Sequence, residues 1–368
     1  MHEPFIDSHE RLKMVKARAL VVALSKGQTA IDLTRRMCLI NHSLKVTTAG
    51  NELWIPLLRP IQDPEYIHLS SALGRIRVEE QEFSERSRHP RTLEEALKGQ
   101  LPPHLLAVVP KSLDIVGHIA IVELPDELAS FGALVGKGVL EICPSVSTVM
   151  AKAGEFSTDY RTRELRLIAG EDNPVTHYRE HGCVYELDVK TVFFSPRLSH
   201  ERLRIASQVQ PRETVVDMFA GVGPYSILVA KKQPSSTIHA VDANPSAFKF
   251  LVSNILANRV LSNVKPLMGD AREVVRSNLS KVADRVIMNL PGSASEFIDV
   301  ACSSLSEKGG IIHFYSFEST ENAYDTATRK LKGRIESSGR KLESILAVRT
   351  VKEIAPCRVQ VAVDAHVA

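Results

Sequence analysis

Val215-Val216-Asp217-Met218-Phe219-Ala220-Gly221-Val222-Gly223-Pro224-Tyr225-Ser226, followed by Thr237-Ile238-His239-Ala240-Val241-Asp242-Ala243-Asn244-Pro245, decides how this chain folds. An apolar run closing on an acid, a turn with two glycines, an amphipathic stretch and a second apolar run closing on another acid describe a βαβ unit. In such a unit the glycines let backbone approach a ligand at a helix N-terminus. The acid at the end of the next strand can accept both hydrogen bonds of a ribose diol. The pattern predicts a nucleoside-cofactor site.

What the turn lacks narrows the cofactor. A dinucleotide fingerprint needs three glycines as G-x-G-x-x-G to seat a pyrophosphate. Here Gly221-Val222-Gly223 runs into Pro224-Tyr225-Ser226, and Asp217 ends the strand before it. An acidic strand end repels phosphate and suits a cationic amino-acid tail. S-adenosyl-L-methionine, with an ammonium, a sulfonium and no phosphate, matches that chemistry, and D-x-F-x-G-x-G fits a class I methyltransferase better than a dehydrogenase.

The same alternation continues downstream. Apolar runs at 264–268, 285–289 and 310–317 are separated by helical patterns at 247–258 and 294–305, which implies an α/β fold on a parallel sheet. The third run leads into Gly269-Asp270-Ala271-Arg272, where Asp270 is placed to bind an adenine amino group. The fourth leads into Asn289-Leu290-Pro291-Gly292. Those are turn formers, but ligands in such sheets sit outside the carboxyl ends of strands, which favours a functional reading.

Several separated segments now resemble one family, the archaeal and eukaryotic type of tRNA (guanine-37, N1)-methyltransferase. They are Tyr160-Arg161-Thr162-Arg163-Glu164-Leu165, Ala169-Gly170-Glu171, Phe194-Ser195-Pro196-Arg197-Leu198 with Glu201-Arg202, and Asp217 to Pro224. Asp242-Ala243-Asn244-Pro245, Asp270-Ala271-Arg272-Glu273, Asn289-Leu290-Pro291 and Ala355-Pro356 follow in the same order. The resemblance implies a Rossmann-like, mostly parallel seven-stranded sheet preceded by two smaller α+β domains. It implies S-adenosyl-L-methionine as cofactor and tRNA as partner, touched at the anticodon loop and the outer corner. The cofactor would lie against Phe219, Ala220, Gly221 and Gly223, then Asp217, Asp242 and Ala243, and finally Asp270, Ala271 and Asn289. Arg202 is expected to reach its methionyl carboxylate.

The resemblance also assigns chemistry. Guanine N1 carries a proton at neutral pH, so its methylation needs a base for that proton and a donor for charge developing on O6. Glu201 occupies the family position of the base and Arg161 that of the donor, with Arg163 a close competitor. An acid at Glu201 would also favour the dipole of the helix that Ser199-His200-Glu201-Arg202-Leu203 opens. Phe193 replaces a tyrosine of close relatives and keeps the face for stacking on a flipped base. Arg197, Asn289 and Pro291 complete the expected substrate contacts. The aromatic fourth residue of amino-group methyltransferases is missing after Pro291, which favours a ring nitrogen as target. Related enzymes transfer an aminocarboxypropyl group or methylate a tricyclic guanine derivative, and an inactive tRNA-binding module is the reading from another class. The intact cofactor acids argue against the last.

The remaining composition sets bounds. A chain of 368 residues with 44% hydrophobic residues holds two or three domains with proper cores. We expect a tRNA-contacting domain at 1–74, a charged linker at 75–92, a middle RNA-facing domain at 93–192 and the catalytic domain at 193–368. A net charge of +3 is no nucleic-acid signature by itself. Local clusters carry that argument: Arg329, Lys330, Lys332, Arg334, Arg340 and Lys341 in one, Arg197, Arg202, Arg204 and Arg212 in another. Five cysteines without a C-x-x-C pair indicate neither a disulfide framework nor a zinc site. His177-Tyr178-Arg179-Glu180-His181 matches the H-x-x-E-H metalloprotease pattern. It sits between alternating segments that read as a hairpin, so no metal is expected. The apolar stretch 17–24 is far below the roughly 20 residues of a membrane span, and a monomeric cytoplasmic protein is the expectation.

Overall fold

The computed structural model describes residues 14–86, 90–156 and 163–368. The chain divides after residue 89 into two compact units. In the first, β1 (Met14–Ala23), α1 (Gly27–Arg36), β2 (Thr47–Ala49), β3 (Glu52–Pro56), α2 (Asp63–Leu73) and β4 (Arg77–Ser84) follow in order. The strands form an antiparallel sheet in the order β2-β3-β1-β4. Leu20 and Val22 of β1 and Leu53 and Ile55 of β3 pack against Ala30 and Leu69 of the helices. A capping box starts α2, with the Glu65 carboxylate accepting from the Gln62 N–H at 2.9 Å.

The expected linker at 75–92 is corrected here. Its central part is β4, paired with β1 from Met14↔Ser84 to Val21↔Arg77. Glu79, Glu80 and Glu82 are exposed, and Phe83 is its one fully buried side chain. A charged edge strand is held by its backbone ladder rather than by apolar burial, so it carries no hydrophobic alternation to read.

The second unit begins with α3 (Leu93–Leu97), α4 (Pro103–Ala107), β5 (Asp114–Val116), β6 (Ile119–Val122), α5 (Gly132–Ile142), β7 (Thr148–Phe156) and β8 (Arg163–Gly170). Strands β5 and β6 form a hairpin that turns at Gly117, which has a φ of 58°. Sheet order is β5-β6-β7-β8. Gly136 of α5 lies so close to β8 that an added Cβ would sit 2.6 Å from the Ala169 Cβ.

Next comes the hairpin β9 (Val175–Glu180) and β10 (Cys183–Asp188), which is the strand reading of the H-x-x-E-H segment. Among the described residues no cluster is arranged to hold a metal. The expected domain boundary at 192/193 is displaced by this hairpin. Its backbone is bound by Asn254 and Asn258, through Glu186 N–H to Asn254 Oδ1 at 2.7 Å and Val184 N–H to Asn258 Oδ1 at 3.0 Å. Tyr185 and Leu187 enter the same core as Val215, Ile227 and Leu251. The hairpin therefore belongs with the catalytic sheet.

That sheet is built from α6 (Ser199–Gln208), β11 (Thr214–Asp217), α7 (Pro224–Lys232), β12 (Thr237–Asp242), α8 (Pro245–Ala257), β13 (Val264–Met268), α9 (Ala271–Asn278), β14 (Arg285–Met288), α10 (Ile298–Ser304), β15 (Gly310–Ser319), α11 (Ala323–Ser337), β16 (Leu342–Ala355) and β17 (Arg358–Val367). The order is β13-β12-β11-β14-β15-β17-β16. Strands β11 to β15 run parallel and β17 is antiparallel to both neighbours. Alternation splits the strand residues between two cores. Val216, Val286, Ile312 and Val363 face α9 to α11, whereas Val215, Ile287 and Ile238 face α6 to α8. The order reverses between β11 and β14, and a crevice opens outside their carboxyl ends.

Candidate cofactor and base-recognition site

A cavity of about 210 Å³ occupies that crevice. Its floor is the turn after β11. Gly221 has a φ of 57° and an added Cβ there would meet nothing closer than the Phe193 carbonyl at 3.9 Å, so bare backbone faces the cavity. Gly223 serves packing instead. It caps α7 in the left-handed conformation, φ 92°, and a Cβ would lie 2.7 Å from Leu251 Cδ1.

Asp242, at the end of β12, ties the turn to its neighbour. Oδ2 accepts from the Gly221 N–H at 2.6 Å and Oδ1 from the Asn244 N–H at 2.9 Å. Burial pushes its carboxyl up despite those bonds. Remaining lone pairs face the cavity, where a ribose diol would supply donors. Asp217 lies behind the wall. Its Oδ2 accepts from Ser226 Oγ at 2.7 Å, while its buried Oδ1 has no hydrogen-bond partner. Burial pushes its carboxyl up to about 7, with the Asp242 charge adding and the Ser226 hydroxyl opposing. An orphaned buried carboxylate oxygen awaits a donor or a cation, which fits a sulfonium amino acid.

The other end of the cavity is aromatic and apolar. Phe219 meets Phe297 edge to face at 5.0 Å, Arg272 lies over the Phe297 ring at 3.7 Å, and Leu290, Ala243 and Ala271 close the sides. Asp270 stands there as the cap of α9, accepting from the Arg272 N–H at 2.7 Å. A flat heteroaromatic ring with an exocyclic amine matches this slot.

Of the sequence-predicted residues, Phe193, Arg202, Phe219, Ala220, Gly221, Asp242, Ala243, Asp270, Ala271 and Asn289 share the cavity wall. Asp217, Gly223, Glu201, Arg197 and Pro291 are not on it. Arg161 lies outside the described residues, and Arg163 is the first residue of β8. Arg202 has partners other than those expected. Its Nε and Nη2 donate to Glu180 at 2.6 and 2.7 Å, its Nη1 donates to the Ser195 carbonyl at 3.1 Å, and the side chain is 1% exposed. It braces the Phe194–Ser195 turn from beneath, with Phe194 stacked on it at 5.1 Å. Phe193, 42% exposed, and Asn289 both line the cavity, the Asn289 Oδ1 accepting from Gln360 at 3.4 Å. Phe297 and Tyr225 escaped the sequence reading. Phe297 follows the fourth strand in a 3-10 turn without a motif of its own, and Tyr225, whose buried hydroxyl has no partner, read as part of the glycine turn.

Glu201 sits in the first turn of α6, 1% exposed, on the side of the cavity toward β15 to β16. Sheet register explains its surroundings. Tyr315, Ala362 and Arg349 form one cross-strand row and His313 and Asp364 the next, so all project to the face that α6 covers. Glu201 Oε1 accepts from Tyr315 Oη at 2.7 Å and Arg204 Nη2 at 2.8 Å, and Oε2 lies 2.9 Å from Arg349 Nη2. Arg204 also pairs with Asp364, which accepts from His313 Nδ1 at 2.6 Å.

Comparison with known proteins fits this geometry. The model of the TRM5/TYW2 methyltransferase domain matches residues 176–343, and that of the TYW2 N-terminal domain residues 93–173. The tRNA (guanine(37)-N(1))-methyltransferase Trm5b of Pyrococcus abyssi is 37% identical over 349 residues, covering 95% of this chain and 98% of the relative. The chain belongs to the TRM5/TYW2 methyltransferase family. The solved complex of aTrm5 and tRNALeu superposes with a TM-score of 0.80 at 30% identity, covering 95% of this chain and 99% of that one. The structure of Methanocaldococcus jannaschii TYW2 in complex with AdoMet gives a TM-score of 0.54 at 28% identity, covering 70% of this chain and 99% of that one. As in other family members, the cofactor is S-adenosylmethionine, and all of the hairpin β9–β10 but Val175 falls inside the methyltransferase match, in keeping with its packing. No helix among the described residues is long and apolar enough to cross a membrane.

Proposed function

We propose that this chain methylates N1 of guanosine 37 in tRNA. The observation that carries the reading is the cavity itself: a nucleoside slot lined by Asp242 and Phe297 that Phe193 and Asn289 also line. Bound S-adenosylmethionine supplies an electrophilic methyl group on a sulfonium. The chain's own residues do the rest. Phe193 offers a face on which an extruded base stacks, and Asn289 offers an amide that reads a purine edge. Glu201 takes the N1 proton and Arg161 holds the charge that develops on O6, since both types of group are needed and both stand at the family positions. Among the described residues, those before 87 contribute nothing to the cavity. Their role is contact with the outer corner of the tRNA, which adds affinity by tethering.

Mass spectrometry of nucleosides from tRNA incubated with the protein and S-adenosylmethionine tests this. The expected product is 1-methylguanosine at position 37. An exocyclic-amine product, an aminocarboxypropyl adduct or an unmodified tRNA would overturn the reading. Glu201→Gln should retain cofactor and tRNA while single-turnover methyl transfer slows by about 10²-fold or more.

A further inference from the structure

Glu201 has no free carboxylate oxygen. Tyr315 and Arg204 occupy Oε1, and Arg204 Nε at 3.1 Å together with Arg349 Nη2 at 2.9 Å occupies Oε2. A base that accepts a proton from guanine must first turn a lone pair toward it. Its neighbours differ in how firmly they are fixed. Tyr315, on β15, is fully buried, and the buried Tyr225 of α7 closes the same side. Arg204, on α6 and 18% exposed, is tied a second time to Asp364 of β17. Arg349, on β16, is 37% exposed and has no second carboxylate partner among the described residues. It is the one that can leave.

The place it can go to is marked by a second cation. Arg349 and Lys352 would point to opposite faces of a regular strand, but the register shifts between Thr350 and Lys352 and brings Lys352 opposite Gln360, on the face of Ala362 and Arg349. Lys352 Nζ lies 3.4 Å from Oγ of Ser195, which lines the cavity. Burial lowers the Lys352 ammonium, and of its charged neighbours Asp114 opposes that while Arg197, Lys152 and Arg202 add to it. Arg197 is 46% exposed and is paired with that same Asp114. A rim this rich in cations, with one acid between them, attracts a phosphodiester.

We propose that Arg349 is a positioning residue: it holds Glu201 in the free enzyme and moves to a backbone phosphate of the docked RNA, beside Lys352, which frees Oε2 to accept the N1 proton. The proposal rests on the reading of Glu201 as the base.

The test uses the full-length protein with tRNA and S-adenosylmethionine, comparing Arg349→Gln and Arg349→Lys with the parent. In Arg349→Gln, KM for tRNA should rise on the order of tenfold and the slope of log affinity against log salt should fall by about 0.7. The acid limb of kcat/KM, which reports the free enzyme, should move to higher pH, while that of kcat, which reports the complex, keeps its midpoint. Arg349→Lys should recover most of the salt slope. Unchanged cofactor affinity checks that the variants are folded. If the acid limbs of kcat and kcat/KM move together, Arg349 stays on Glu201 throughout and the proposal fails. It fails equally if KM and the salt slope do not change. Glu201→Gln, run in parallel, separates the two readings, since a normal single-turnover rate there removes the base assignment itself.

Discussion

One guanidinium, that of Arg204, binds Glu201 within its own helix and Asp364 on the opposite side of the helix–sheet interface. The helix that carries the candidate base is thereby fastened to β17, and the fastening continues inward. Asp364 accepts from His313 Nδ1, and His313 Nε2 accepts from Arg285 Nη1 at 2.7 Å, which fixes the imidazole as neutral with its proton on Nδ1.

Asp364→Ala should therefore cost stability on the order of 3 kcal/mol, because it leaves Arg204 half paired and the His313 N–H buried without an acceptor. Urea denaturation measures this. The pH dependence has a definite sign. Burial lowers the His313 imidazole, and at Asp364 hydrogen bonds from His313 and Arg204 outweigh burial and hold the carboxyl well below the usual range. Both folded-state values lie below their unfolded ones, so both contributions are present above the unfolded values and fade as pH falls. Stability of the parent should drop from about pH 6.5 downward. His313→Gln should flatten the upper part of that drop.

Asp217 gives the opposite sign. Its carboxyl, at about 7, is raised, so its contribution to the stability of the free enzyme is full below the ordinary carboxylate range and lost as pH rises through about 7. A bound ammonium and sulfonium favour the ionised form. Cofactor binding near neutrality should then release a proton, and affinity should climb as pH rises through about 7 and level off above it. Calorimetry in two buffers of different ionisation heat detects the proton. In Asp217→Asn the release should vanish, and persistent release there would point to another group.

Asp242→Ala should weaken S-adenosylmethionine by roughly 1.5–3 kcal/mol for the loss of a charged acceptor, with tRNA affinity little changed. Titration calorimetry with cofactor alone is the direct measurement. Because Asp242 also holds the Gly221 and Asn244 amides, Asp242→Asn should restore the turn less well than it restores volume, since a carboxamide has one acceptor oxygen in place of two.

A chain starting at Pro90 should bind S-adenosylmethionine as the full protein does. It should still methylate tRNA at saturating concentration, with weaker tRNA affinity and poorer discrimination against tRNAs damaged at the outer corner. The cut belongs after residue 89 because one inside β4 would leave a strand fragment without the β1 partner it pairs with. Loss of cofactor binding on truncation, read by scanning fluorimetry, would show that the first unit supports the catalytic fold.

The catalytic sheet was legible because its inner strands β11, β12 and β14 are largely buried on both faces and end at the cofactor cavity. Val215-Val216-Asp217 and Ala240-Val241-Asp242 therefore carry apolar runs and terminal acids that no other constraint would place together. The glycines were legible as a pair, though not by role: Gly221 opens to the cavity and Gly223 packs on Leu251. Local sequence could not tell these apart, because a missing Cβ looks the same whether a ligand or a leucine takes its place. Nor could it show that β4 is a strand, since an edge ladder needs no apolar face. The surroundings of Glu201 were decided entirely by the fold. Tyr315 and Arg349 meet it, and Asp364 is linked to it through Arg204, by the register of β15, β17 and β16, more than a hundred residues away along the chain. Arg202, a cofactor ligand by motif alone, is claimed by Glu180 across a hairpin contact. The sequence determined the sheet, the cofactor slot and the acids that line it. Which charges are left free to act was decided by tertiary pairing, because a buried ion takes whichever partner the packing brings within reach.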